Sequence, residues 1–198
     1  MLVRSHTKLD SLGAEYGRLG SAAFVHCDGD PWRGSRFKDL PAQLRGAVRL
    51  LGGAALPAHF PPYIGTDAYR ALTRQRVAAI LRNNRRAVRY FRAALPGVPV
   101  EHFAHGLYIK LGSPQPLDEA AARQAAAQMS DELRRAGLPV RHAGSFGFDF
   151  AAAEWCHAST SDGYCVRISV ADLPEQLWDA VIAAVAAWWR SRLRRAAA

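Results

Sequence analysis

Residues 1–20 read MLVRSHTKLDSLGAEYGRLG, and this stretch decides how the rest of the chain is interpreted. A short apolar run at residues 1–3 predicts a strand, and three glycines after residue 12 predict a turn. Between them stands Lys8, one of only three lysines among 26 basic residues. A lysine amine can lose its proton and attack a carbonyl carbon, whereas an arginine guanidinium stays protonated. Lys8 is therefore a candidate nucleophile, and the alternative is a surface lysine after an edge strand.

The order Ser5-x-Thr7-Lys8, followed by spaced glycines and Arg18, resembles the cofactor-lysine segment of the class I/II aminotransferases. These are fold-type I enzymes that use pyridoxal 5'-phosphate (PLP). The resemblance implies that Lys8 forms the Schiff base with the cofactor and that Ser5 and Thr7 hydrogen-bond the cofactor phosphate. The family's phosphate-binding arginine falls where this chain has Glu15 and Tyr16. Either the turn is longer and Arg18 takes that role, or phosphate binding is weaker or built differently. A carboxylate repels a phosphate, so we expect Glu15 to face away from it.

The same resemblance predicts three parts of the chain. Residues 1–66 would be the lysine-bearing remnant of the large cofactor domain, completed by another chain. Their predicted strand at 21–26 and helix at 41–51 contain too little apolar surface to form a core alone. A long helix at residues 67–95, capped by Thr66 or Asp67, would link this part to a small domain at residues 96–198.

The pattern of residues 96–198 predicts a small α+β domain. We expect strands at residues 102–111 and 164–170, a strand with a glycine loop at 138–150, and a helix at 117–136. Asp172 and Glu175 form a capping-box pattern that predicts the start of a second helix at Asp172. The expected fold class is therefore α/β, with an α+β small domain in the C-terminal part of the PLP-dependent transferase fold.

Arg167 is the second candidate site residue. It stands in Val-Arg-Ile-Ser, near the end of a predicted strand. The resembled family has an arginine in a similar Arg-x-Ser context, which implies that Arg167 binds the α-carboxylate of the substrate. The residues alone leave open a second interpretation, in which Arg167 pairs with a carboxylate on a sheet edge. We predict that Cys156 and His157 are ordinary loop residues and that no metal site is present.

Composition limits the class of protein. The chain has 198 residues, of which 49% are hydrophobic, enough for one domain or slightly more. No apolar run approaches the roughly 18 residues that a membrane span needs. The start lacks a signal-peptide layout, and three unpatterned cysteines indicate reduced thiols, so we expect a cytoplasmic protein.

The net charge of +9 raises the question of an acidic partner. The arginines lie on predicted helix faces and near the C-terminus, without interleaved aromatic residues. We interpret most of them as solvated surface, which disfavours nucleic-acid binding but leaves it as an alternative.

These observations predict a subunit of a PLP-dependent, aminotransferase-like enzyme that acts on an amino acid. Its partner would be a separate polypeptide with the large PLP-binding domain, in a hetero-oligomer such as a dimer of heterodimers. Transamination is the default reaction, and elimination, replacement or carbon–carbon bond chemistry would use the same residues. The alternatives are a non-catalytic scaffold or regulatory relative of such an enzyme, and a basic nucleic-acid-binding protein.

Overall fold

The computed structural model describes residues 2–5, 20–23, 39–50, 63, 65–144, 148–159 and 162–197. The chain forms two compact units, Met1–Thr66 and Asp67–Ala198. The long helix that begins at residue 67 belongs to the second unit. The assignment of residues 1–66, 67–95 and 96–198 to a remnant, a linking helix and a small domain remains a prediction.

The first unit contains a two-stranded antiparallel sheet and one helix in its described residues. Strand β1 (Leu2–Ser5) pairs with strand β2 (Gly20–Ala23), and Ser5 lies opposite Gly20. Helix α1 (Leu40–Leu50) has no buried residue, and Leu50 is 90% exposed. Both the strand at the start of the chain and the helix near residue 41 were expected from the sequence, and the structure confirms them.

The second unit is a mixed α/β structure with one five-stranded sheet. Its elements in chain order are α2 (Asp67–Ala94), β3 (Val100–His102), β4 (Tyr108–Leu111), α3 (Glu119–Arg135), β5 (Val140–His142), β6 (Ala151–His157), β7 (Tyr164–Ser169) and α4 (Glu175–Ala197). The strand order is β3-β4-β7-β6-β5, with β5 and β6 parallel and all other neighbours antiparallel. This architecture agrees with the α+β class expected for this part of the chain.

The predicted strand at residues 102–111 is wrong in one respect, because two strands occupy this region. A turn separates β3 from β4, and the amide of Gly106 donates to the carbonyl oxygen of Phe103 at 2.9 Å. A side chain on Gly106 would not fit this turn, since its Cβ would lie 2.7 Å from the Cβ of Phe103. The chain therefore reverses and pairs β3 with β4 in antiparallel register.

Strand β6 was not predicted, and the assignment of Cys156 and His157 to a loop is wrong. Both residues lie at the end of β6, which pairs with β5 on one side and β7 on the other. The strand begins with three alanines, which have low strand propensity and give no alternating pattern. All three alanines are buried, so tertiary packing rather than local preference determines this strand.

The helix ends of the second unit follow local chemistry at α3 and tertiary contacts at α4. Asp118 caps α3 by accepting a hydrogen bond from the amide of Ala121 at 2.7 Å. Gly137 follows α3 with a φ of +79°, the left-handed conformation that glycine adopts readily. The predicted start of α4 at Asp172 is wrong, because α4 begins at Glu175 and the carboxylate of Asp172 accepts from the guanidinium of Arg76.

One face of the sheet packs on helices, and we call it the helix face. Helix α3 contacts β5, β6 and β7, helix α2 contacts β3 and β4, and α4 contacts both helices. Cross-strand pairing places four apolar side chains on this face, each at most 1% exposed: Ile109, Leu111, Val166 and Ile168. The facing side of α3 is lined by small residues, including the fully buried Ala122, Ala125 and Ala126, which allow close approach of helix and sheet. This packing forms the core of the second unit.

Candidate functional site

The structure describes only part of the predicted site. Lys8, Thr7 and Arg18 lie outside the described residues, so their predicted roles are neither supported nor contradicted. Ser5 is the last residue of β1. Arg167 lies in the middle of β7 in the second unit. The described geometry therefore concerns the surroundings of Arg167.

Arg167 belongs to a row of four charged side chains that crosses the sheet. Residues directly opposite each other in antiparallel strands project from the same face. Glu101 lies opposite Lys110, Lys110 lies opposite Arg167, and Arg167 in turn lies opposite Glu154. We call this side, opposite to the helix face, the polar face. The row therefore carries two cations at its centre and one carboxylate at each end.

Lys110 is almost fully enclosed, with 9% of its surface exposed. Its Nζ donates to the main-chain oxygen of His157 at 2.9 Å and to Ser159 Oγ at 2.6 Å. The same nitrogen lies 3.5 Å from Glu101 Oε2 and 5.9 Å from the centroid of the Phe103 ring. These contacts use the donors of the Lys110 ammonium and fix its position on the sheet.

Glu101 is held in its charged form by the same group of residues. Its Oε1 accepts a hydrogen bond from the amide of Ser159 at 2.8 Å. Burial by itself raises the pKa of Glu101, but the hydrogen bonds from Ser159 and the charge of Lys110 outweigh that effect and lower it. Lys110 and Glu101 thus form an ion pair with 11% and 12% of their side chains exposed.

Arg167 forms an ion pair with Glu154. Its Nη2 also donates to the carbonyl oxygen of Gly144 at 3.3 Å, and its guanidinium carbon lies 5.2 Å from the centroid of the Tyr108 ring. Its buried Nε has no hydrogen-bond acceptor among the described residues. The ion pair considered for Arg167 is therefore present, but the predicted position at a sheet edge is wrong, because β7 is the central strand of the five.

Gly144 lies against this ion pair. A Cβ at this position would lie 2.6 Å from Glu154 Oε2, closer than a real contact allows. The glycine loop predicted within residues 138–150 therefore contacts Glu154 and Arg167 at Gly144. Residues 145–147 of that loop lie outside the described part of the chain.

Two thiols complete the polar face and were not linked by sequence reasoning. Cys156 on β6 lies opposite Cys165 on β7, and their Sγ atoms are 3.5 Å apart. Residues in alternate positions of Tyr-Cys-Val-Arg-Ile-Ser share one face, which would have placed Cys165 beside Arg167. The partnership with Cys156 needed the register of β6, a strand that the sequence did not predict.

Among the residues that the structure describes, no group of three histidine, cysteine or carboxylate side chains is arranged to hold a metal ion. His102 lies opposite Ile109 on the helix face, and His105 lies in the turn between β3 and β4. Within the same described ranges, no helix has both the length and the apolar content needed to cross a bilayer.

The arrangement defines a charge-balanced row on the sheet, in which Lys110 pairs with Glu101 and Arg167 pairs with Glu154. Lys110 and Arg167 lie side by side, and a planar guanidinium recognises carboxylates.

Comparison with known proteins identifies no family for this chain: no family model, no curated protein and no solved structure matches it.

Proposed function

We propose that this chain is the lysine-bearing subunit of a PLP-dependent, aminotransferase-like enzyme that acts on an amino acid. The observation that carries the proposal is the order of residues 5–20, with two hydroxyl residues, a lysine and a glycine turn that contains an arginine. Further support comes from Arg167, which lies on a charged sheet face and whose Nε has no acceptor within the described part of the chain. Residues 96–198 would correspond to the small domain of that fold, and residues 67–95 to the helix that links the domains.

In this proposal the residues near the start of the chain hold the cofactor. Ser5 and Thr7 hydroxyls and the Arg18 guanidinium would bind the phosphate dianion. Lys8 would bind the aldehyde carbon and, once displaced by the substrate amine, would move the α-proton as general base and acid. PLP itself would supply the electron-withdrawing ring that makes this proton acidic. Transamination is the default outcome, and elimination, replacement or carbon–carbon bond reactions use the same groups.

Arg167 would bind the α-carboxylate of the amino-acid substrate. The chemical basis is the planar guanidinium, whose parallel N–H groups match the two oxygens of a carboxylate. Glu154 occupies part of this guanidinium in the structure, so a substrate carboxylate would share it or replace the Glu154 carboxylate. Exchange of one carboxylate for another keeps the buried charge compensated.

The large cofactor domain would be a separate polypeptide. Among the described residues, the first unit contains only a two-stranded sheet and one helix without buried residues. A β1 edge that pairs with strands of a partner would bury its free backbone groups. We therefore propose a hetero-oligomer that brings Lys8 and the partner's cofactor pocket together.

Co-expression with the products of neighbouring genes tests the proposal. We expect a co-purifying partner and a PLP absorbance band near the visible edge, which Lys8→Ala abolishes and the control Lys38→Ala preserves. Absence of the band in the purified complex, or an undiminished band in Lys8→Ala, would contradict the proposal.

Steady-state kinetics test the role of Arg167. Replacement Arg167→Lys is expected to raise KM for the amino acid by about ten- to a hundredfold, because a bidentate charged contact is lost. Arg141→Lys, at an exposed position of the edge strand β5, is the matched control and should leave KM unchanged. Equal KM values in both variants would remove Arg167 from the substrate site.

The ion pair of Arg167 with Glu154 favours a second candidate, a non-catalytic relative that serves as a scaffold or regulatory subunit. In such a protein the guanidinium stabilises the sheet and no substrate competes for it. A co-purifying partner that carries its own complete PLP lysine, and keeps full activity with Lys8→Ala, would support this candidate over the first.

An exposed arginine row on α2 favours a third candidate, a basic nucleic-acid-binding protein. Its members recur on one side of the helix and are exposed: Arg82, Arg85, Arg89 and Arg92. Four phosphate contacts would give a slope of about −4 for log K against log salt concentration on duplex DNA. Arg85→Gln with Arg89→Gln should flatten that slope, whereas Arg134→Gln with Arg135→Gln on α3 is the control pair.

A further inference from the structure

Cys156 and Cys165 are free cysteines that lie close enough to form a disulfide bond. The two residues are direct cross-strand neighbours on β6 and β7, and their Sγ atoms lie 3.5 Å apart. Directly opposed antiparallel residues have Cα atoms about 4.5–5.5 Å apart, within the range of about 4.4–6.8 Å that disulfides span. Side-chain rotation alone can therefore bring the two sulfur atoms to bonding distance.

We propose that Cys156 and Cys165 form a dithiol site that a hydroperoxide oxidises reversibly to an intramolecular disulfide, with Cys156 as the attacking thiolate and Cys165 as the resolving thiol. This proposal is independent of the PLP chemistry proposed for Lys8. It rests on the register of two described strands and on the charged groups beside them.

Cys156 is the thiol that an oxidant can reach and that ionises first. It is partly exposed, whereas Cys165 is buried. Hydrogen bonding from Cys165 lowers the pKa of Cys156 to about 7, and the charges of Lys110 and Arg167 add to this effect against burial and the Glu154 carboxylate. The thiolate is the nucleophilic form, so Cys156 is about half ionised at neutral pH.

Cys165 has the properties of the second thiol. Its hydrogen bond to Cys156 and its burial raise its pKa, so it keeps its proton while Cys156 is charged. The Cys165 thiol also lies 3.5 Å from the main-chain oxygen of Cys156, which holds it beside its partner. Cys165 sulfur is therefore held beside the sulfur it would attack, and it becomes nucleophilic as its proton passes to the departing hydroxide.

The proposed reaction has two steps. In the first, the Cys156 thiolate attacks one oxygen of hydrogen peroxide, the O–O bond breaks, and the departing hydroxide takes up a proton to become water. Cys156 is then a sulfenic acid. In the second, Cys165 sulfur attacks Cys156 sulfur, the S–O bond breaks, and the hydroxide takes the Cys165 proton and leaves as a second water. Two electrons pass from the thiols to the peroxide.

A small thiol would reverse the modification. Its thiolate would attack one sulfur of the disulfide and form a mixed disulfide, and a second thiol would release the reduced protein. The partial exposure of Cys156 gives such a reductant access to one sulfur of the pair.

Peptide mapping of the full chain tests the proposal. The third cysteine, Cys27, is first replaced in a Cys27→Ser background so that only one disulfide can form within a molecule. After treatment with equimolar hydrogen peroxide and blocking of free thiols, cleavage before Asp162 separates the two cysteines unless they are bonded. We expect a linked pair of peptides that separates after reduction. Two blocked thiols, or a stable sulfinic acid at Cys156 without the linked pair, would overturn the proposal.

Single variants in the same background assign the two roles. In Cys165→Ser, Cys156 should stop at the sulfenic acid and be labelled by a cyclic 1,3-dione. In Cys156→Ser, Cys165 should stay unlabelled and reduced. Labelling of Cys165 at the same rate as Cys156 would contradict the assignment. The linked-peptide result on the Cys27→Ser protein stands without these variants, should either fail to fold.

Discussion

The two faces of the five-stranded sheet share the same strands but carry different chemistry. On the helix face, the apolar side chains of Ile109, Val166 and Ile168 are at most 1% exposed. On the polar face, the alternate residues of the same strands form the charged row and the thiol pair. Because side chains alternate along a strand, one short segment such as Cys-Val-Arg-Ile contributes both to the apolar core and to the polar face.

The difference indicates that folding stability in the second unit depends mainly on the helix face, whereas the charged and thiol side chains lie on the polar face. Burial of apolar side chains on the helix face is the favourable term that orders the strands. The polar face adds ion pairs whose net contribution is small, since desolvation opposes the attraction between charges. Substitutions on the two faces should therefore separate stability from chemistry.

The largest expected loss of stability follows from shortening a buried side chain on the helix face. Ile109→Ala removes a fully buried side chain at the centre of β4 and leaves a cavity. We expect a loss of about 2–5 kcal/mol in the free energy of unfolding, measured by urea denaturation. Leu177→Ala, at a position that is 36% exposed on α4, is the control and should cost much less. Equal losses would mean that the helix face is not the core.

A smaller loss is expected from breaking the ion pair on the polar face. Glu154→Gln leaves the Arg167 guanidinium without its carboxylate, and 20% and 23% of the two side chains are exposed. We expect a loss of about 1–2 kcal/mol, below the cost of breaking a fully buried pair. In the Arg167→Gln background the same substitution should cost much less, and a double-mutant cycle measures the difference. An unchanged cost in that background would show that the two side chains are not coupled.

Acidification should reveal the contribution of Glu101. Its pKa is lowered in the folded state, so its charge stabilises the fold above the ordinary carboxyl pKa of about 4.3, and this contribution is lost as pH falls through the folded value. We expect Glu101→Gln to cost about 1 kcal/mol at pH 7. Denaturation at decreasing pH should show that the difference from wild type shrinks below the ordinary pKa. A difference that persists in strong acid would contradict this account.

The smallest expected effect concerns the rate of thiol–disulfide exchange at Cys156. Its pKa of about 7 makes the thiolate fraction much larger than that of an ordinary thiol at the same pH. Lower basicity also reduces intrinsic nucleophilicity, so the net gain is about threefold at pH 7. Initial rates with a small disulfide, measured from pH 5 to 9 in Cys27→Ser with Cys165→Ser, should be compared with those of a free thiol. Removing Cys165 also removes the largest cause of the lowered pKa of Cys156. In this variant, Lys110 and Arg167 alone should therefore preserve part of the rate increase.

The helices of the second unit were predictable because their signals are local. Apolar periodicity and terminal residues such as Asp118 and Gly137 mark α3, and the structure confirms it within two residues. Strand β6 was not predictable, since its first half consists of alanines whose strand conformation depends on α3 and on both neighbouring strands. Asp172 fits a helix cap, but its long-range contact with Arg76 decides its structural role.

The candidate site was predictable only where the local sequence around a single residue gives a signal. Arg167 was selected because its Arg-x-Ser context resembles that of the aminotransferase family, and it lies on a charged face as an ion-pair partner of Glu154. Lys110 and Glu101 were not selected, because their proximity to Arg167 depends on the order of strands β3, β4 and β7. Such cross-strand neighbours are far apart in sequence, and a single chain gives no direct signal of their register.

The most direct test of the proposed function is reduction of the PLP-loaded complex with borohydride, followed by peptide mapping. The chain has only three lysines, so Lys38 and Lys110 serve as internal controls for Lys8. We predict a reduced PLP adduct on Lys8 alone. An adduct distributed equally over all three lysines, or none on this chain while the complex retains PLP on its partner, would contradict the proposal that Lys8 is the cofactor-binding residue.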